Sequence, residues 1–183
     1  MIITISGDIG SGKSTVAKII AKKMGLKHYS VGDFMRQLAH NQGISFEELT
    51  RKSFNDPQID YKLDSFTQDL AHRREDNFII DGRIAWHFLP ESVKVFLKVS
   101  PDVSAKRILL RKHRDENFTS IEAAHRARIE RRRIENDRYR KIYHIDMENP
   151  SNYDLVISTD TRSAEEVADA IIAFCRERTL SLR

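Results

Sequence analysis

The chain is poor in the residues that staple, break or anchor a polypeptide. Its single cysteine, Cys175, among 183 residues cannot close an internal disulfide, so a reducing cytosol is the expected compartment. It lies in the apolar stretch AIIAFC and reads as core packing. Four prolines and seven glycines form no linker, and no repeat or low-complexity tract divides the chain, so one domain, 1–183, is expected. No apolar run approaches the roughly 20 residues of a membrane helix, and the first residues lack the regions of a secretory signal. Metal-ligand spacing is missing as well. His40, His72, His87, His113, His125 and His144 have no cysteine partners and read as structural or surface residues.

What is present is 40% hydrophobic and 32% charged, the balance of a globular chain with a core. The net charge of +4 is unevenly spread: Ala105 to Lys141 holds 13 Lys and Arg against 6 Asp and Glu, a local +7 that leaves −3 elsewhere. A basic block in an otherwise mildly acidic protein points to an anionic partner.

Short apolar runs predict buried strands at 1–6, 27–31, 77–81, 93–99 and 153–159. Between them the spacing is helical. Val16, Ile19, Ile20 and Met24 share a face and Gly25 marks a stop. Helices also follow over 32–74, from Ser100-Pro101 to Lys112, through Tyr143, and up to Phe174. Ser45…Glu48, Thr119…Glu122 and Ser163…Glu166 read as capping boxes. Strands alternating with helices predict an α/β fold: a five-stranded parallel sheet with helices on both faces and a helical insertion after the second strand.

The few glycines are concentrated where they matter. GDIGSGKST, residues 7–15, fits G-x-x-x-x-G-K-[ST] between a strand and an amphipathic helix, the context of a P loop. Glycines at 7, 10 and 12 permit conformations in which consecutive N–H groups point inward, and the helix N-terminus adds partial positive charge. Gly7, Asp8, Ile9, Gly10, Ser11, Gly12, Lys13, Ser14 and Thr15 are therefore the candidates for binding a nucleoside triphosphate. Lys13 is also a catalytic candidate, and Ser14 a direct ligand of Mg²⁺. Asp81, closing the strand of IIDGR, is placed to hold Mg²⁺ through water.

The absence of an N-K-x-D segment argues against a GTPase switch. Arginines suggest a second anionic substrate. Arg36 follows the second strand and Arg83 the third, at the crevice where open α/β sheets bind ligands. Arg131, Glu135 and Arg138 share a helix face, which Arg128 continues one turn earlier. Arg132, Arg133 and Arg140 read as solvated, while Arg107 and Arg111 stay open between surface and site.

The segments SGDIGSGKSTVAK, SVGDFMR, DPQIDYKLD, IIDGRIAW, RRRIENDRYRKIYHID and NYDLVIST in this order resemble the cytidylate kinases of the compact archaeal-type branch of nucleoside monophosphate kinases. The resemblance covers nearly the whole chain and implies a P-loop NTPase fold. It also implies phosphoryl transfer from ATP, with Mg²⁺, to CMP or dCMP, by a cytoplasmic monomer acting on small nucleotides. In that mapping Arg36 and Arg83 clamp the acceptor phosphate, and Arg131 and Arg138 close over both substrates with Glu135 holding their geometry. Ser30 and Asp33 line the acceptor site, with Asp60 and Asp64 as candidates for the acceptor's sugar or base. Residues 32–76 correspond to an acceptor-binding insertion, and about 113–125 to a lid. This chain departs from the family where Asp8 and Ile9 replace its usual proline or serine, loop-tip residues expected to point away from the phosphates. GRIAW brings Trp86 one position closer to Arg83, and Ile84 stands where larger relatives carry aspartate. Other acceptors (UMP, AMP, dephospho-coenzyme A) remain open, as does a nucleotide-gated RNA-binding module whose affinity would fall steeply with salt.

Overall fold

The computed structural model describes residues 1–72, 76–110 and 120–181. Five parallel strands, β1 (Ile2–Gly7), β2 (Lys27–Ser30), β3 (Phe78–Asp81), β4 (Val93–Lys98) and β5 (Leu155–Ser158), lie in the order β2-β3-β1-β4-β5. β1 is central because it tolerates burial on both sides. Ile3 and Ile5 pack with Val16 and Ile20 of α1 (Lys13–Met24) and Ile171 and Cys175 of α8 (Ala164–Ser181). On the opposite face Thr4 Oγ1 meets Ser92 Oγ at 3.0 Å, and the Ser6 hydroxyl donates to the carbonyls of Gly82 and Arg83, both at 3.0 Å. Two polar residues in a buried strand are thus satisfied, and the second fixes the turn carrying Arg83.

The insertion is three helices, α2 (Val31–Asn41), α3 (Phe46–Asn55) and α4 (Pro57–His72). They enclose their own apolar centre, with Met35, Phe46, Leu49 and Leu63 at its middle. α2 starts at Val31, the residue assigned above to the second strand, because the Ser30 hydroxyl caps it by accepting from Asp33 N–H. Ser45 caps α3 as its sequence implies. A short helix, α5 (Ala85–Phe88), follows β3 without a periodic signal long enough to announce it. α6 (Pro101–Leu109) ends before Lys112, and Ser100, though at its N-cap, makes no side-chain cap bond. α7 (Ile121–Tyr143) is capped by Ser120, whose hydroxyl accepts from Ala123 N–H. The cap is therefore Ser120, one residue later than Thr119, which lies outside the described residues. With Ala123 as its partner it is a single N-cap bond and not a capping box. Residues 121–125 form the first turns of α7, whereas 113–119, the rest of the expected lid, lie outside the described residues. α8 opens with reciprocal Ser163–Glu166 bonds and runs past Phe174 to Ser181.

Strand register prepares the site. Ser30 pairs with Asp81, Asp81 with Ile5, and Gly7 with Leu97, so the carboxyl ends of four strands finish at one edge. Gly7 is the tightest point: a Cβ there would lie 2.3 Å from the Leu97 carbonyl oxygen, at φ +145. Gly12, at φ +87, has open space where its Cβ would be. Replacing Gly7 with alanine should therefore lower the melting temperature more than replacing Gly12. The Gly12 variant suffers backbone strain of about 1–2 kcal/mol, without a steric clash. Calorimetry on both variants checks the ranking.

Candidate active site: a phosphate cradle facing an arginine cluster

Gly7, Gly10 and Gly12 all have positive φ, and Gly12 is the left-handed N-cap of α1 with no side-chain cap. The first N–H groups of α1 consequently open toward the loop, free for an anion. Lys13 folds back over it, donating from Nζ to the carbonyls of Gly7 at 2.9 Å and Asp8 at 2.7 Å. Burial and the neighbouring Arg83 lower its pKa well below the usual lysine value. The Ser11 hydroxyl is buried within the loop with no hydrogen-bond partner among the described residues.

At the edge of the sheet Ser14 Oγ donates to Asp81 Oδ1 at 3.0 Å, Ser30 Oγ donates to the same oxygen at 3.1 Å, and His28 Nε2 lies 2.8 Å from Oδ2. His28 was not singled out in the sequence. Its signal was the strand period, which puts it two residues before Ser30 on one face of β2. Hydroxyl and carboxylate oxygens are the hard donors that suit Mg²⁺. Among the described residues no group of three or more His, Cys, Asp or Glu side chains could hold a metal. A cation at Ser14 and Asp81 would thus need oxygens from a bound phosphate, as is usual for Mg²⁺.

Asp8 points away from the phosphates, as expected of a loop-tip residue. Its carboxylate turns away from the cradle: Oδ2 accepts the buried Val99 N–H at 2.9 Å, and Oδ1 pairs with Arg132 Nη1 at 2.9 Å. Only its main chain serves the loop. Arg132, read above as solvated, instead ties the loop to α7 and to Glu148, 2.6 Å from its Nε. Ile9 lines the cleft, so it does not point away as expected. Arg133 and Arg140 are exposed, as read.

Across the cleft the helix face of Arg131, Glu135 and Arg138 turns inward. Glu135 is 4% exposed. Arg83 Nε lies 2.8 Å from its Oε2, and Arg131 Nε donates to Oε1 at 3.0 Å. Burial alone would raise this carboxyl's pKa. Arg83, Arg131 and Arg138 outweigh it and hold the value at about 2. Arg83 also donates to the Gly7 carbonyl, joining the two halves of the site. Arg138 is deeper. Its Nε is 3.3 Å from Asp60 Oδ1, and its guanidinium donates to Ser53 Oγ and Tyr139 Oη.

The acceptor side differs from the sequence reading in three places. Asp33 pairs with Arg36 on a half-exposed edge rather than lining the cleft. Ser30 is occupied by Asp81 and the cap of α2. Asp60, its pKa pushed up to about 6 by burial, sits behind Arg138. The wall is instead apolar, formed by Val31, Met35, Leu63 and Phe88, with Asp64 and Thr67 as its polar end. Tyr143 donates its hydroxyl to Asp64. Ile84 lines the cleft, whereas Trp86 packs edge-on against Tyr153, 5.7 Å between ring centroids, away from it. Sequence reasoning also missed Phe46, over whose ring stand the guanidinium carbons of Arg36 at 5.6 Å and Arg131 at 5.0 Å. Arg107 donates to Thr159 at the end of β5, and Arg111 lies outside the described residues.

The depressed Glu135 carboxyl has a stability consequence. A folded-state pKa below the unfolded value contributes stability that is complete above about pH 4.5 and is lost as pH falls toward 2. By linkage the contribution is up to about 3 kcal/mol. Glu135→Gln should melt lower than the wild type at pH 7, with a shallower loss between pH 5 and 2. Melting curves across that window measure both.

The sequence pattern of the cytidylate kinase-like family matches residues 2–161. A cytidylate kinase of Archaeoglobus fulgidus is 38% identical over 173 residues, covering 94% of this chain and 93% of its own. One of Methanothrix thermoacetophila is 39% identical over 175 residues, covering 94% and 98%. An S-adenosylmethionine-dependent nucleotide dehydratase of Lacinutrix mariniflava is 38% identical over 171 residues, 93% of this chain but 35% of that longer one. In fold, the chain is similar to shikimate kinase of Aquifex aeolicus, at 20% identity, a TM-score of 0.62 and 98% and 99% coverage. With a phosphate cradle at the first strand and that family's pattern running from β1 through β5, the chain belongs to the cytidylate kinase-like family of P-loop kinases.

Proposed function

We propose that the chain transfers the γ-phosphoryl group of ATP to CMP or dCMP, giving ADP and the nucleoside diphosphate. The observation that carries this reading is the convergence of Arg83 and Arg131 on Glu135, facing the phosphate cradle that Lys13 folds over. A site so rich in cations suits a reaction that joins two polyanions. The acceptor's phosphate oxygen is already anionic, so no general base is needed. It attacks the γ-phosphorus, the bond to the β-phosphate oxygen breaks, and ADP leaves with that electron pair.

In this reading residues 7–15 hold the triphosphate and Lys13 neutralises it. Arg36 and Arg83 orient the acceptor phosphate, while Arg131 and Arg138 stabilise the charge spread in the transition state. Ser14, and Asp81 through water, would hold Mg²⁺, which would supply positive charge to offset that of the triphosphate. The three-helix insertion, 31–72, closes the acceptor side and helps to keep water from the reaction. The apolar wall ending in Asp64 supports a base with an exocyclic amine, whose N–H groups a buried carboxylate accepts. Uracil would set a carbonyl oxygen against that carboxylate. Arg128 and Arg138 face inward, and the exposed stripe an RNA-binding helix requires is correspondingly weakened. The names of the cytidylate kinase relatives favour the same base.

An ADP-release assay with CMP, dCMP, UMP, AMP and dephospho-coenzyme A tests the proposal. Turnover should be highest with the two cytidine nucleotides, and fastest turnover with any other acceptor overturns the assignment. Lys13→Ala should lower kcat by about a thousandfold or more, the scale on which a lost transition-state charge acts. Arg83→Ala should chiefly raise the acceptor's KM, and unchanged acceptor kinetics would remove Arg83 from the clamp.

A further inference from the structure

Beside the reaction cleft lies a second cavity, between α3, α6 and α7. Its walls include Ile9 of the loop tip, Phe46, Thr50, Ile108, Arg128 and Arg131. Ile9, Phe46, Thr50, Ile108 and Arg131 also line the reaction cleft, so the two are continuous. Arg128 is what distinguishes it. The residue is 6% exposed, and its Nε has no hydrogen-bond partner among the described residues. Among the described residues its guanidinium forms no ion pair. The other cations around the cleft are all engaged: Lys13 with carbonyls, Arg36 with Asp33, Arg83 and Arg131 with Glu135, Arg132 with Asp8, Arg138 with Asp60.

A guanidinium withdrawn from water without an anion is a net cost to the folded chain. The nearest charges do little to relieve it. Arg132, on the same helix, repels it, and the Asp8 carboxylate is already committed to Arg132 and Val99 N–H. Glu47 and Glu130 line the same cavity without pairing with it. An oppositely charged ligand entering beside Ile9 would offset the cost. The anion the neighbouring loop is shaped for is a polyphosphate.

We propose that Arg128 is a further phosphate-binding residue, contacting the polyphosphate chain of the donor nucleotide from the α7 side of the cradle. This rests on the reading that residues 7–15 hold a triphosphate, but not on the identity of the acceptor. Arg128 is thereby kept at the expense of stability in the unliganded protein, and its charge is repaid only when the donor binds.

The test replaces Arg128 with methionine, which keeps the length and apolar contacts, and with lysine, which keeps the charge. Each is titrated with Mg-ATP, inorganic tripolyphosphate and CMP separately, reading the melting temperature. The unliganded Arg128→Met protein should melt about 2–4 °C higher than the wild type, the shift expected of a modest gain in a chain this size. Its affinity for both Mg-ATP and tripolyphosphate should fall roughly tenfold or more, as for a lost charge-assisted bond. CMP binding should be unchanged, and Arg128→Lys should recover part of the polyphosphate affinity. Unchanged polyphosphate affinity, an equal loss for CMP, or a lower melting temperature in the unliganded Met variant overturns the proposal. If that variant does not fold, Arg128→Gln replaces it, with the same loss expected and unchanged affinity overturning. A wild type that binds tripolyphosphate but phosphorylates no cytidine nucleotide refutes the acceptor assignment and leaves this inference standing.

Discussion

One buried carboxylate holds the site together. Glu135 lies among Arg83, Arg131, Arg138 and Lys13, four cations whose mutual repulsion would otherwise spread them apart. At the effective dielectric of a protein cleft, two unit charges 4 Å apart interact by about 4 kcal/mol. A single carboxylate shared by several guanidinium groups recovers enough of that energy to keep them convergent before any substrate arrives. It leaves the cluster positively charged all the same. That surplus is what draws in anions, so assembly of the site and its appetite for phosphate come from the same imbalance.

The fold delivers Glu135 to its partners through non-local ties. Arg83 is held at the end of β3 by Ser6, whose hydroxyl grips the carbonyls of Gly82 and Arg83 from the central strand. Arg131 and Glu135 ride on a helix of 23 residues anchored to the phosphate loop through Arg132 and Asp8. The anchor joins two apolar contacts. Near the start of α7 Ala124 packs on Ala105 and Ile108 of α6. At its other end Tyr139, with Ile145 and Met147 just beyond the helix, packs on Ile84. The Asp8 carboxylate spans β4, the loop and α7, so the residue that departs from the family pattern has a structural task in this chain.

What could be read from the sequence was what is local. The loop, its strand and its helix are contiguous, and their glycines, period and lysine appear within 24 residues. The inward face of Arg131, Glu135 and Arg138 follows from helical spacing alone, because a helix fixes which residues share a side. Partners distant in sequence were not legible. Arg132 looked solvated because Asp8 is 124 positions away. Asp33 is the opposite case: Arg36 lies three residues further along the same helix, so the spacing did offer this pair and the reading passed over it. Phe46 reads as an ordinary apolar position of α3, and only the approach of α2 and α7 makes it a platform for two guanidinium groups. The cap of α7 shows a smaller failure of the same kind. Thr119 and Ser120 are chemically equivalent caps, and the choice between them depends on where the chain arrives.

The internal partners of the cations also bear on how the two substrates are told apart. Lys13 and the outer nitrogen of Arg83 rest on main-chain carbonyls, which are dipoles. Arg36 and Arg138 rest on carboxylates, which are full charges. Exchanging a carbonyl for a phosphate oxygen strengthens the bond, because charge-assisted hydrogen bonds are about twice as strong as neutral-acceptor ones. Exchanging a carboxylate for a phosphate oxygen is closer to even, since a displaced anion must be accommodated elsewhere. In the proposed reaction Lys13 on the donor side therefore gains more from a phosphate than Arg36 on the acceptor side. Arg83, also on the acceptor side, gains through one nitrogen only, because its Nε stays on Glu135. A triphosphate seated first would lower the surplus positive charge and weaken the pull on the second anion. If the apolar wall near Asp64 receives the acceptor's base, as proposed, discrimination between acceptors then shifts from the phosphate to the base.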